Sequence, residues 1–168
     1  MLIYHHAFDI YHCIFRMLRL LVKLPRNPHD IEQLRILDFY LLFPDQLAEV
    51  TFPKEARIYR NCSFVKNRSY EEIDDPYRVF LQMEAFQKEA LNCLASYGII
   101  GAGELSDGKI YLTDKKLPNE LEDALVVSNL ESRELIDLLT GPLFDLDFYG
   151  PKGLKARTKL MEFKYDPR

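Results

Sequence analysis

Between Asp75 and Gly98 the chain specifies a long helix at both ends and along one side, which constrains the fold more than any other segment. Asp75 is a residue type that accepts hydrogen bonds from the free N–H groups of a first turn. Pro76 suits that turn because it has no N–H to leave unsatisfied. Val79, Phe80, Met83, Phe86, Ala90, Leu91, Leu94 and Tyr97 recur at three- and four-residue steps, so they share one face. Gly98 can adopt the left-handed conformation that ends a helix. Beyond it the period drops to 2. Ile99-Ile100 is one short apolar run, Ile110 and Leu112 alternate in another, and Ser106-Asp107-Gly108 is a turn signal between them. A long helix followed by a hairpin predicts a winged-helix-like unit with the hairpin as its wing.

The flanking segments predict more helices. Phe8, Tyr11, Phe15, Leu18 and Val22 form an apolar stripe over 7–23, ending against Pro25. In the next helix Asn27 is the expected cap, Pro28 the first-turn residue and Asp30 the acid at the positive dipole end. Ile31, Leu34, Leu37, Leu41 and Leu42 are its expected buried stripe, and Pro44 stops it. A short helix is expected over 46–50. Arg57-Ile58-Tyr59 and Ser63-Phe64-Val65 read as short strands in an irregular stretch, followed by the acids Glu71, Glu72, Asp74 and Asp75. Pro118 to Val127 predicts a helix. Ser128 with Glu131 reads as the capping box of another, running through Leu135, Ile136 and Leu139 to Gly141-Pro142. Gly150-Pro151-Lys152-Gly153 is a tight turn before a last helix from Leu154 to Phe163. The expected class is α+β and predominantly α, with an N-terminal helical pair and a β-hairpin wing. One domain is expected over 1–168: helices to 50, irregular structure over 51–74, helix plus wing over 75–118, and C-terminal helices over 119–168. A chain of this length can bury roughly 70% of its unfolded surface in one core.

Charge and cysteine usage narrow the function classes. A net charge of −4 opposes a dedicated nucleic-acid binder, whose domain is usually strongly basic. Cys13, Cys62 and Cys93 are odd in number and widely spaced, which suits small buried hydrophobes in a reducing compartment better than a disulfide framework or zinc site. The apolar run from Ile10 to Leu24 is interrupted by His12, Arg16, Arg19 and Lys23, so it does not provide a membrane span. The N-terminus lacks the basic flank and cleavage site of a secretory signal. A soluble cytoplasmic protein is expected.

Few motifs carry chemistry. Gly103 to Lys109 matches the GxxxxGK phosphate-loop spacing, but Ile110 stands where Ser or Thr would hold magnesium, and a strand is expected where a helix should begin. His5, Asp9 and His12 lie one and two helical turns apart, a spacing open to a divalent metal or to polar packing. No Ser occupies a nucleophile elbow, and no cofactor or catalytic residue is expected. Two basic clusters stand out. Lys54 to Arg68 supplies five bases, among them Arg57, Arg60, Lys66 and Arg68, against Glu55 alone, with Tyr59, Phe64 and Tyr70 interleaved. Lys152, Lys155, Arg157 and Lys159 form the second. These eight residues are the candidates for contact with an acidic partner protein or with nucleic acid, a solvated face being the alternative. The segment from Glu120 to Asp137 is the reverse, with six acids against Arg133. Opposed patches suit a bridging subunit.

With these residues in place, the chain resembles the middle components of bacterial ABC three-component systems, related to the accessory subunits of Lamassu anti-phage systems. The likeness is carried by Tyr4 to Leu21, with Phe8-Asp9-Ile10-Tyr11-His12 and Arg16-Met17-Leu18-Arg19-Leu20-Leu21. It extends over Ile31 to Tyr40 with Phe43-Pro44, over the Phe80 to Pro118 block with Leu112-Thr113 and Leu117-Pro118, and over the tail Gly150 to Lys155. The resemblance implies a role beside an SMC- or Rad50-like ATPase and an effector, often a nuclease, in defence against phage or plasmid DNA. It implies no catalytic residues; indirect or weak DNA contact is left open. The expected function is a non-catalytic adaptor. A winged-helix DNA-binding regulator is the alternative, although the Asp75–Tyr97 helix offers only Arg78 and Lys88 as bases against Glu84 and Glu89. An enzyme with scattered catalytic residues ranks third.

Overall fold

The computed structural model describes residues 5–68 and 73–162. Tyr4, Tyr70, Glu71, Glu72 and Phe163, each used above, lie outside the described residues. Helix α1 (Ile10–Leu21) follows a 3₁₀ turn over His6–Phe8. His5 accepts a bond from the Ala7 N–H through Nδ1, and Asp9 caps α1 by accepting from the His12 N–H at 2.8 Å. Strand β1 (His29–Asp30) leads directly into α2 (Ile31–Leu42). Ten of the twelve α2 residues are buried, which makes it the central helix. Packed on it are α1, α4 and α7.

The stripe predicted for α1 is only partly the buried one: Leu18 is buried and Phe15 packs against the core. Tyr11 is 83% exposed, and Phe8 and Val22 also reach the surface. The buried residues are Cys13, Arg16, Met17, Leu18, Leu20, Leu21 and, just beyond the helix, Leu24. Almost every position from 13 to 22 other than Arg16 and Arg19 is apolar, so periodicity alone admits several faces. The buried pairing of Arg16 with Asp38 of α2 selects the face that carries a charge.

The second helix also starts later than Asn27-Pro28 suggested. His29 and Asp30 pair antiparallel with β2 (Lys109–Ile110), in register His29 with Ile110 and Asp30 with Lys109. Asp30 therefore receives the Lys109 ammonium at 2.7 Å and does not cap α2 through its side chain. A 3₁₀ helix over Pro44–Glu49 replaces the short helix expected at 46–50.

The two strands predicted over 57–65 are absent. A 3₁₀ helix, Lys54–Asn61, and α3 (Ser63–Lys66) stand there instead. In a 3₁₀ helix positions i and i+3 eclipse. Pro53, Ala56 and Tyr59 thus form the inward ridge, and Lys54, Arg57 and Arg60 the ridge in water. A three-residue repeat of this kind is easily mistaken for irregular strand.

Helix α4 (Pro76–Ser96) matches its sequence specification. Asp75 accepts from the Arg78 N–H at 3.0 Å, and Gly98 takes a φ of +70°. Its buried face holds Phe80, Met83, Ala90, Leu91 and Leu94, but also Gln87, while Tyr97 is exposed. The predicted wing takes a different form. Ile100 and Leu112 join the two arms by one antiparallel bridge, a short helix α5 (Ala102–Ser106) fills the tip, and β2, at the start of the second arm, pairs with β1. The result is a mostly helical α+β fold with a two-stranded antiparallel sheet.

At the C-terminal end α6 (Asn119–Glu131) runs straight through Ser128, and α7 (Arg133–Thr140) begins after Ser132. The Ser128–Glu131 capping box does not form, because Ser128 lies inside α6 and its carbonyl accepts the Ser132 N–H. Gly141 ends α7 as expected. The Gly150–Gly153 turn closes with a 3.1 Å bond, and α8 (Leu154–Thr158) follows. Among the described residues no helix is long and apolar enough to cross a membrane.

Candidate partner-binding groove

The polar core positions the surface. Arg16 donates from Nε to Asp38 Oδ1 at 2.7 Å and from Nη2 to Oδ2 at 3.2 Å. Burial alone would lower the Arg16 pKa, but the Asp38 charge and hydrogen bonds outweigh it and raise the value. Gln87 donates to Asp38 Oδ2 at 2.8 Å and accepts from Arg35 Nε at 2.8 Å. Arg35 continues the chain to Glu32 and Glu84, and its guanidinium lies 4.7 Å from the Phe80 ring centroid. These contacts lock α1, α2 and α4 together. Sequence reasoning missed them, although one signal existed: Gln87 stands between Met83 and Ala90, where the period of α4 calls for an apolar residue. Beside this knot, burial pushes the Cys13 thiol well above its ordinary value. Cys62 and Cys93 are half-buried.

Outside this core lies a groove of about 900 Å³. One side is the end of α1 with Val22, Lys23 and Arg26, joined to the 112–117 segment. Arg26 makes that junction by donating to the Thr113 carbonyl at 3.1 Å and to Asp114 at 3.2 Å. Lys115 reaches back to the Tyr97 carbonyl. The other side is α6 and the first turns of α7. Arg19 fixes α6 against α1 through Asn129 at 3.0 Å and the Ser128 carbonyl at 3.1 Å, and Asn129 returns a bond to the Arg19 carbonyl. Leu112, Leu117, Leu125 and Ile136 form a buried apolar floor. Above it Val22, Val126 and Leu130 are 39%, 58% and 65% exposed. Apolar side chains gathered along one groove mark a contact surface more often than the same residues scattered singly.

The groove is charged at its rim, with five bases against three acids. Arg26 pairs with Asp114, and Arg133 lies 3.7 Å from Asp137. The side chains of Lys23, Lys116 and Glu122 form no ion pair among the described residues. The sequence marked Glu122, Arg133 and Asp137 only as members of the acidic 120–137 segment, and it did not join them to Lys23 or Lys116, because the three segments are widely separated. The one available sign was α6 itself, where Leu121, Leu125, Val126, Val127 and Leu130 spread too widely for one buried face.

The eight basic candidates lie elsewhere. Arg60 folds back, donating to the Ala48 and Val50 carbonyls at 3.0 and 3.1 Å, with its guanidinium 4.7 Å from the Phe52 centroid. Arg157 donates to the Thr51 carbonyl at 2.8 Å and to the Lys152 carbonyl. Lys155 is buried, its ammonium 5.3 Å from the Tyr149 centroid. Arg57, Lys66, Arg68, Lys152 and Lys159 are exposed. The fold brings the two clusters together, since Lys54 and Lys152 line one hollow, but Glu55 and Asp147 line it too. Lys66 and Arg68 share a second hollow with Asp45, Glu49 and Asp74. Both clusters are therefore interleaved with acids.

The remaining motifs resolve locally. Lys109 of the GxxxxGK stretch sits on β2, with no helix following it, so there are no free helical N–H groups there to hold phosphates. His5 and Asp9 serve as caps, and the His6 and His12 rings stack at 4.0 Å. Among the described residues no group of three or more His, Cys, Asp or Glu is placed to hold a metal ion.

One family model matches residues 2–166: ABC-three component (ABC-3C) system Middle Component 5. No curated protein and no solved structure matches.

Proposed function

The chain belongs to the ABC-three component system Middle Component 5 family, and from that membership we propose that it is a non-catalytic adaptor joining an ABC ATPase to an effector. The partners proposed are an SMC- or Rad50-like ATPase and an effector such as a nuclease, acting in the cytoplasm against phage or plasmid DNA as in Lamassu-related systems. The adaptor holds the effector inactive until foreign DNA is sensed. The observation that carries this reading is the groove beside α6, where exposed Val22, Val126 and Leu130 lie over an apolar floor. In a family defined as one component among several, such a surface is best explained as a seat for another subunit. The block of α4 and the bridged arms serves here as scaffold for the groove wall at 112–117.

A DNA-binding regulator is less well supported. Lys88 of α4 is paired with Glu84, and Arg78 is the helix's one other base, so α4 presents no basic recognition face.

Co-expression of the tagged protein with its neighbouring genes, followed by affinity purification, tests the adaptor. A large ATPase and an effector are expected to co-purify with the native chain, and at least one is lost with Val126→Asp plus Leu130→Asp. A protein that purifies alone and binds duplex DNA with sequence specificity refutes it.

A further inference from the structure

We infer that the groove beside α6 receives an amphipathic helix from a partner subunit, with acidic residues along the edge that faces Lys23 and Lys116. This rests on the adaptor reading and adds the chemistry of the occupant. Three observations carry it.

The first is shape. The exposed tops of Val126 and Leu130 make the groove an open trough, whereas small-molecule sites enclose most of their ligand. The second is backbone chemistry. Helix side chains make up the α6 and α7 wall, and their backbone groups are already bonded within the helices, so that wall offers no sheet edge. An extended peptide laid there would lose water from its own N–H and C=O groups without replacement, whereas a helix brings its bonds with it. Val126 and Leu130, one turn apart, form a ridge that fits between the i and i+4 side chains of a second helix.

The third is charge. On the side formed by the end of α1 and the 112–117 segment, Lys23 and Lys116 form no ion pair among the described residues, and the rim as a whole is basic. On the α6 side Glu122 is an acid that forms no ion pair among the described residues. An occupant with Asp or Glu along one edge satisfies both lysines, and a base on its other edge meets Glu122, which fixes the direction in which it lies.

The test places a photo-crosslinking amino acid at position 126 in the complex co-expressed from the neighbouring genes, and maps the crosslinked peptide by mass spectrometry. The expected peptide belongs to a partner subunit, repeats apolar residues at i and i+4, and carries acids on one flank. Lys23→Glu with Lys116→Glu should weaken that subunit's binding about tenfold, roughly 0.7 kcal/mol at each position. Reversing the partner's acids to lysine should restore it. Both lysines are exposed, so an unchanged melting temperature separates lost binding from lost folding. An intact complex that crosslinks through a non-helical segment, through a segment without acids, through a second copy of this chain, or not at all at position 126 overturns the inference and leaves the adaptor standing. Failure of any complex to assemble overturns the adaptor reading and the inference with it.

Discussion

Around Asp38 the protein buries charge and pairs it, whereas along the groove beside α6 Lys23, Lys116 and Glu122 form no ion pair among the described residues. The same side-chain chemistry has different consequences in the two regions. Arg16 and Asp38 lie among apolar side chains, where losing either partner strands a charge away from water. The groove lysines are solvated, so they cost the free protein little and remain available for a partner. Conversely, Leu112, Leu117 and Ile136 are covered by their neighbours, while Val126 and Leu130 in the same groove are not. The core carries stability and the groove carries recognition.

The sharpest way to break this contrast is Asp38→Ala. It leaves Arg16 buried and unpaired and should cost about 3–5 kcal/mol, read as a fall in the urea midpoint or a drop in melting temperature on the order of 10 °C. A loss no greater than that of a surface substitution would remove Asp38 from the centre of the core. Gln87→Ala comes next. It deprives Arg35 Nε of its acceptor and Asp38 of a donor, for about 1–3 kcal/mol in the same denaturation experiment.

Glu84, at the edge of the knot, sharpens the boundary between the regions. Its pKa is lowered, first by the hydrogen bond from Lys88 and then, against the opposing effect of burial, by the Arg35 charge. The folded state therefore favours the carboxylate. Its contribution is complete above the ordinary Glu value of about 4.3 and is lost as pH falls through the lower folded value. With 36% of the side chain exposed, Glu84→Gln should cost less than about 1 kcal/mol at pH 7, and the difference from the native chain should vanish in acid. A gap that widened on acidification would reverse the assigned sign. The smallest effect on stability belongs to the groove. Val126→Asp plus Leu130→Asp should change folding by about 0.5 kcal/mol or less, yet weaken partner binding on the order of a hundredfold. If the double variant melted like Asp38→Ala, the groove would be part of the core.

The local devices were legible in the sequence. Asp75-Pro76 and Gly98 bound α4 because a cap acts on N–H or C=O groups within about a turn, and Gly141 ends α7 for the same reason. Capping logic misled where another partner claimed the residue. Asn27 does not cap α2, because the chain first pairs His29 and Asp30 with β2, and Ser128 lies inside α6 where Asn129 engages Arg19. Of the basic clusters, charge and position were visible, but the inward use of Arg60, Lys155 and Arg157 was not, because their acceptors and rings are tertiary neighbours.

By itself the sequence determined that the chain is a mostly helical domain with one long capped helix, since periodicity and caps are properties of neighbouring residues. Tertiary structure alone decided which face of α1 is buried, that β2 pairs with β1 rather than within its own hairpin, and that segments near residues 23, 116 and 126 form one groove. The physical reason is distance along the chain. Arg16 meets Asp38, Asp30 meets Lys109 and Arg19 meets Asn129 across intervals of 22, 79 and 110 residues. A pair so separated becomes favourable only after the packing of the intervening helices has offset the entropy of closing the loop between them.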